Sequence, residues 1–324
     1  MIRMNYLINI ICFIIFIANI CRANELNGIY LDLEQFFNQT QNAKVVTVTI
    51  TDDKIKEADP YRLLTSLHQY SKSENVGVKS LALDFIAKVA EQHPSQEIRK
   101  EVVEHLAVGL ISKNENDKQL RWKYRHLLSE FSQQDFSEVA KGVILKALQE
   151  DELNDDVILV CGIAQLKDSL NSLEKLLFDE VAYSKDPKMK HHPKWYYTLG
   201  WDARLARARM GVKEDIQRCV NLIEKEIDSN KNFRLLKDLG YIRQPESVES
   251  LRRYFLSNLV LPPTNPGMEG EPYSKYLMPI LEDNLSNFPI KKSESHKLGR
   301  IYSIEEIELC KKWMAKQTKW IIKR

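Results

Sequence analysis

Amphipathic helical segments begin near Val76, Asp117, Asp155, Lys194 and Asn230, at intervals of 41, 38, 39 and 36 residues. No other feature of the chain restricts its folding as much. In VGVKSLALDFIAKVAEQH, residues Val78, Leu81, Ala82, Phe85, Ile86 and Val89 fall on one broad apolar face. IRKEVVEHLAVGLI supplies a second stripe after the break at Pro94-Ser95, so the two segments form a hairpin. The same helix, break and helix recur at 117–131 with 136–149, 155–165 with 169–178, 194–209 with 212–227, and 230–242 with 245–256. A single pair buries one apolar face within itself. Its other apolar positions need a neighbouring pair, and the pattern therefore predicts serial stacking into a continuous core.

The repeats carry their own punctuation. GIAQLKDSLNSLEKLL, from Gly162, is echoed by GYIRQPESVESLRRYF, from Gly240, and ARMGVKEDIQRCVNLIEKE adds a glycine at Gly211. None of the three opens a glycine-rich loop between a strand and a helix, as a phosphate cradle requires. They read as structural turns, sites of close helix approach or of helix termination. Asp135-Phe136-Ser137-Glu138 and Ser303-Ile304-Glu305-Glu306 fit helix N-caps, in which the first side chain and the acidic residue three positions on satisfy exposed backbone donors.

CGIAQLKDSLNSLEKLL and LGYIRQPESVESLRRYF resemble the helix, glycine turn and second helix of the HEAT or HEAT-like repeat family, and the resemblance spans 76–256. It implies a curved interaction scaffold and transfers no catalytic residue and no particular ligand. The expected fold is all-α, a curved α-solenoid of helical hairpins over 61–258. A mixed N-terminal segment at 24–60 precedes it, with a short helix in LDLEQFF and one candidate strand in VVTVTIT, Val45 to Thr51. A Pro/Gly-rich loop, VLPPTNPGMEGEP, occupies 259–272, and 273–324 forms a terminal repeat or a small helical cap.

The first 23 residues differ from the rest. Arg3 is followed by LINIICFIIFIANI, and Cys21-Arg22-Ala23 places small residues at the minus three and minus one positions of a cut after Ala23. This reads as a secretory signal peptide at 1–23, with export to a periplasmic or extracellular space. Cleavage removes Arg3 and Arg22 and no acid, moving the formal charge from +2 to 0. General attraction to nucleic acid or to an anionic membrane has no support from that balance, and stable membrane insertion is not expected after cleavage. Cys161, Cys219 and Cys310 remain; three widely spaced cysteines make no disulfide framework, and Cys161 and Cys219 sit in apolar helical patterns as small hydrophobes. Asn38-Gln39-Thr40 and Asn284-Leu285-Ser286 match N-glycosylation acceptors.

A search for chemistry finds no zinc signature, no P-loop, no dinucleotide fingerprint and no serine-nucleophile motif, so no catalytic residue, metal ligand or cofactor is assigned. His191-His192 lacks one-turn spacing and is flanked by lysines, the mark of an exposed loop. The candidate recognition segment is KMKHHPKWYYTLGWDARLARARMG, in which Lys190 and Lys194 surround Trp195, Tyr196 and Trp201. Such aromatics anchor protein surfaces while nearby cations favour an acidic partner. Against this, Tyr197, Trp201, Leu205 and Ala208 also have the spacing of a packed helix face. Lys311, Lys312, Lys316 and Lys319 with Trp313 and Trp320 mark a second cationic-aromatic surface on the last helix. The expected function is an exported, non-enzymatic protein-binding scaffold. Its alternative is an exported enzyme with a site near 188–201 and the C-terminal region.

Overall fold

The computed structural model describes residues 28–41, 50–149, 153–230, 232–261, 270, 272–290 and 302–323. The signal-peptide span, most of the expected strand at 45–51 and most of the loop at 259–272 lie outside them. Among the described residues the fold is all-α: helices and short 3-10 turns, with only isolated bridges at Val260 with Pro272 and Leu285 with Ile322. The chain divides into two compact units, one ending at Val143 and one starting at Ile144.

The first unit contains α1 (28–41), α2 (Asp52–Glu57), α3 (Pro60–Tyr70), α4 (Val76–Gln92), α5 (Gln96–Leu110), α6 (Glu115–Gln119) and α7 (Arg121–Leu128). LDLEQFF falls inside α1. Asn75 starts α4 by accepting from the Gly77 and Val78 amides at 2.9 and 3.1 Å, the side-chain cap that a helix start requires. His93 closes the helix on the Val89 carbonyl, Pro94 cannot continue it, and Ser95 caps α5. The apolar stripes then meet: α4 packs on α3 and α5, and α5 on α7. Buried Val78, Ala82, Leu83, Ile86 and Val89 face Val102, Val103, Leu106 and Leu110 across this core. The expected helix at 117–131 is divided at Leu120 into α6 and α7. At that break the buried Lys79 ammonium reaches Asp117 at 2.9 Å, and the Tyr124 hydroxyl donates to the same carboxylate oxygen at 2.8 Å. Burial works to raise the Asp117 carboxyl, and the bonds from Lys79, Ser112 and Tyr124 outweigh it.

α8 (Glu138–Ala147) is capped by Ser137, whose Oγ accepts from the Ala140 amide at 3.2 Å. Asp135 is not its cap. It closes a separate capping box with Ser132 and takes a bidentate pair from Arg99 at 3.0 and 2.8 Å, which draws it inside. At the far end of the chain, Ser303 and Glu306 form the reciprocal box that their spacing predicts.

The second unit contains α9 (Asp155–Ile163), α10 (Leu170–Glu174), α11 (Glu180–Lys185), α12 (Leu199–Arg209), α13 (Lys213–Asn230), α14 (Leu236–Ile242), α15 (Pro245–Leu256), α16 (Tyr273–Asn284) and α17 (Ile304–Lys316). Its order is serial. First helices run α9, α12, α14, α16, each against the next, and second helices run α13, α15, α17 in the same way. The last pair packs on the one before it, α16 against α14 and α15, and α17 against α15. Asn284 is buried in it and donates to the Ile280 carbonyl at 2.8 Å, so the second glycosylation match is inaccessible.

The glycines separate into two kinds. A Cβ on Gly162 would approach Ala206 Cα to 2.9 Å and collide with the Tyr241 hydroxyl, and one on Gly240 would collide with Ile280. Both allow close approach of neighbouring first helices. Gly211 instead ends α12 with φ +89°, and its structural counterparts are Gln165 and Arg243, three residues after the other two glycines, at φ 55° and 51°. Around these left-handed ends, the end of α9 caps α12 and α12 caps α14: Gln165 Nε2 donates to the Arg209 carbonyl at 3.0 Å, Lys167 to the Met210 carbonyl, and Arg209 to the Tyr241 carbonyl at 2.6 Å. Orphan carbonyls at helix ends are thus satisfied by the neighbouring pair. Gly162→Ala is expected to cost about 1–3 kcal/mol by overpacking this contact. Gly142, in the middle of α8, has nothing within 4 Å of its Cβ position. There alanine is expected to stabilise by roughly 0.5–1 kcal/mol. Urea midpoints of the two variants read the opposite signs, and equal shifts would overturn the assignment.

Candidate functional site

Between α10 and α12 the simple hairpin pattern is interrupted. The expected second helix at 169–178 shortens to α10, and the chain then makes α11, a 3-10 turn at Pro187–His191 and another at Trp195–Tyr197 before entering α12. Asp186 starts the first turn by accepting from the Lys188 amide at 2.9 Å. Thr198 holds the second, donating its hydroxyl to the Trp195 carbonyl at 2.7 Å and accepting from the Trp201 amide. These irregular elements surround an open hollow of about 290 Å³, lined by Tyr183, Ser184, Asp186, Met189, His192, Pro193, Lys194, Trp195, Tyr196 and Glu226 of α13.

The floor of the hollow belongs to the core. Trp195 and Tyr196 are each 8% exposed, with ring centroids 5.1 Å apart, edge to face. Behind Trp195, at 4.6 Å, lies Trp201, which is wholly buried and donates its indole N–H to Asp238 at 2.9 Å. Trp201 is therefore a packing residue, and the fold withdraws it from any partner. Trp195 and Tyr196 combine the two roles, packing inward while lining the hollow. Tyr197, by contrast, points outward at 60% exposure. Lys190 lies on the 3-10 turn, and Lys194 stands exposed at the mouth with its ammonium 5.6 Å over the Tyr196 ring. The Tyr196 hydroxyl first, and Glu226 after it, hold that ammonium above the usual lysine range.

The wall is fixed from behind by a buried ionic network. Arg204 of α12 pairs with Glu180 of α11, reaches Asp215 of α13 at 2.7 Å and donates to the Phe178 carbonyl at 2.8 Å. Arg207 also bonds Asp215 at 2.7 Å, and Arg218 bonds Glu180 at 2.7 Å and Asp179 at 2.9 Å. Glu180 is fully enclosed and satisfied from two sides, so α11 is held against α12 and α13 in one geometry.

The remaining sequence candidates are placed elsewhere. His191 and His192 are exposed, and among the described residues no three His, Cys, Asp or Glu side chains gather as a metal site. Cys161, Cys219 and Cys310 are free and buried; burial pushes the Cys161 thiol up to about 12, which leaves it unsuited to act as a nucleophile near neutrality. On α17, Lys311 pairs with Glu308 at 3.3 Å and Trp313 packs 5.8 Å from Phe288. Tyr183, Met189 and Glu226 were not singled out in the sequence. Tyr183 and Met189 carried only proximity to the aromatic run, and Glu226 reaches the hollow only because α13 returns past it.

The fold and the hollow define an all-α protein of serially packed helical pairs, with no described helix long and apolar enough to cross a membrane. Compared with protein-family models, with curated proteins and with solved structures, the chain has no match in any of the three.

Proposed function

We propose that this protein is an exported, non-enzymatic binding scaffold built from HEAT-like helical pairs, and that it engages a protein or peptide partner at the hollow between α11, the 3-10 turns and α13. The carrying observation is the hollow itself, whose aromatic floor is part of the core and whose wall is locked by Arg204, Glu180 and Asp215. Preorganisation of this kind lowers the ordering cost of binding. Lys194 lines the hollow and stands exposed, and Lys188 is exposed on the preceding 3-10 turn; these ammonium groups support the reading of an acidic partner. Export rests on the hydrophobic 1–23 segment and its small-residue cut site.

The test is recovery of the protein from its native cells with whatever it holds, followed by N-terminal sequencing and by the same recovery with Lys194→Glu and Tyr197→Ala. Both side chains are exposed, so these changes leave the core intact; Trp195→Ala would confound binding with loss of packing. Mature protein starting at Asn24 and a partner lost from both variants are the expected results. A partner retained equally by wild type and both variants would reject this surface, and an intact first segment would reject export with cleavage.

A further inference from the structure

We infer that the adjoining ends of α12 and α14 bind a phosphate group, held by the guanidiniums of Arg209 and Arg243. Arg209 closes α12, and Arg243 follows α14 in a left-handed conformation, φ 51°. Their partners set them apart. Arg204, Arg207 and Arg218 of the same unit each bond a carboxylate. Arg209 is only 6% exposed, yet it donates to the neutral Tyr241 carbonyl at 2.6 Å and lies 4.9 Å over the Tyr241 ring. Arg243 keeps its Nε enclosed with no partner. Among the described residues neither arginine forms an ion pair.

Two enclosed guanidiniums without an anion are costly, because each gives up hydration and repels the other. Burial first, and the Arg243 charge after it, hold Arg209 below the usual arginine range, with Tyr241 opposing. Burial likewise lowers Arg243, against the exposed Asp283 of α16 and Tyr241. The carbonyl end of a helix returns only about half a negative charge. Nearby side chains add donors: the Gln165 and Gln244 amides both reach the Arg209 carbonyl, and Lys167 reaches the Met210 carbonyl. Tyr241, Arg243 and Gln244 are partly exposed, so an ion can arrive from water. One carboxylate would neutralise one guanidinium. A phosphate, carrying about −1.5 to −2 near neutrality, offsets both and offers oxygens that match the planar arginine fork.

Titration calorimetry of the purified protein with inorganic phosphate, at fixed ionic strength in chloride, tests the site. Direct binding is the readout because phosphate also stabilises folded chains by exclusion from their surface. One saturable site is expected, with acetate at least about tenfold weaker. Arg243→Gln is the deciding variant, since Gln165 already occupies the corresponding left-handed position at φ 55°. It is expected to weaken phosphate binding about tenfold or more, the loss of a charge-assisted pair, and Asp283→Asn is expected to tighten it by removing the competing acid. No saturable binding to wild type, equal affinity in Arg243→Gln, or acetate matching phosphate overturns the inference. A large fall in the urea midpoint of Arg243→Gln in phosphate-free buffer would make that arginine a structural residue and overturns it too. Within a positive result, equal or tighter binding of phenyl phosphate assigns the site to a phosphoryl group on a larger molecule, and exclusion of the ester assigns it to the free ion.

Discussion

Arg204→Met is expected to destabilise the second unit by about 3–5 kcal/mol, the cost of stranding buried charge. The arginine is 9% exposed in its side chain, and the two carboxylates it joins, Glu180 and Asp215, are 0% and 3% exposed. Removing it leaves Glu180 with Arg218 alone and Asp215 with Arg207 alone, both still inside. Neither carboxylate can turn to water without moving α11 or α13. A surface pair provides the contrast: Glu249 bonds Arg252 one turn away on α15, at 56% exposure. Its removal by Glu249→Ala should change stability by no more than about 0.5 kcal/mol. Urea unfolding followed by circular dichroism measures both. Similar midpoints for the two variants would show that the network does not hold α11 in place, and the fixed wall of the hollow would lose its support.

Acid is expected to weaken the first unit through a stacked histidine pair, since burial lowers His68 as well as His105. His105 of α5 stacks on His68 of α3 at 4.0 Å with rings 10° from parallel, and His68 Nε2 is buried without a partner. Burial first, then His68 and Lys72, lower the His105 pKa to about 4, with Asp117 opposing and Lys79 adding to the lowering. The unfolded chain therefore takes up this proton first, starting near pH 6.5, while the folded chain resists until about pH 4. Stability from this group is complete above the unfolded value and declines as pH falls through that window. Below it no further loss comes from His105. Holding His105 down from 6.5 to about 4 corresponds to roughly 3 kcal/mol of stability above that window. His105→Phe keeps a flat ring and removes the proton, so its stability curve should run flatter across the same range. Parallel curves for wild type and variant would exclude this histidine as the source.

The helices and their serial order were legible in the chain because both depend on short-range pattern. Asn75, Ser95 and Ser303 start helices through bonds to amides within three residues, and the apolar stripes repeat every turn. A hairpin of adjacent helices needs only a short break, and pairs of similar length have few ways to stack other than in order. The same local logic located the turn glycines. It did not separate Gly211, which supplies a left-handed end, from Gly162 and Gly240, which admit a neighbouring helix. That difference depends on what lies across the contact, Ala206 and Tyr241 in one case and Ile280 in the other.

What only the tertiary structure decided is which parts of the aromatic run face inward. Trp195, Tyr196, Tyr197 and Trp201 have similar chemistry and nearly continuous spacing, yet three are buried and Tyr197 is exposed. The expected helix start at Lys194 gives way to a 3-10 turn before Leu199, which rotates the side chains away from a single helical face. The pairing of Arg204 with Glu180 and Asp215, and the return of Glu226 to the hollow, likewise join residues from separate elements. A hydrophobic period records that a helix must bury a face. It carries no record of which distant carboxylate will meet an arginine on that face, because that choice is made when the elements pack.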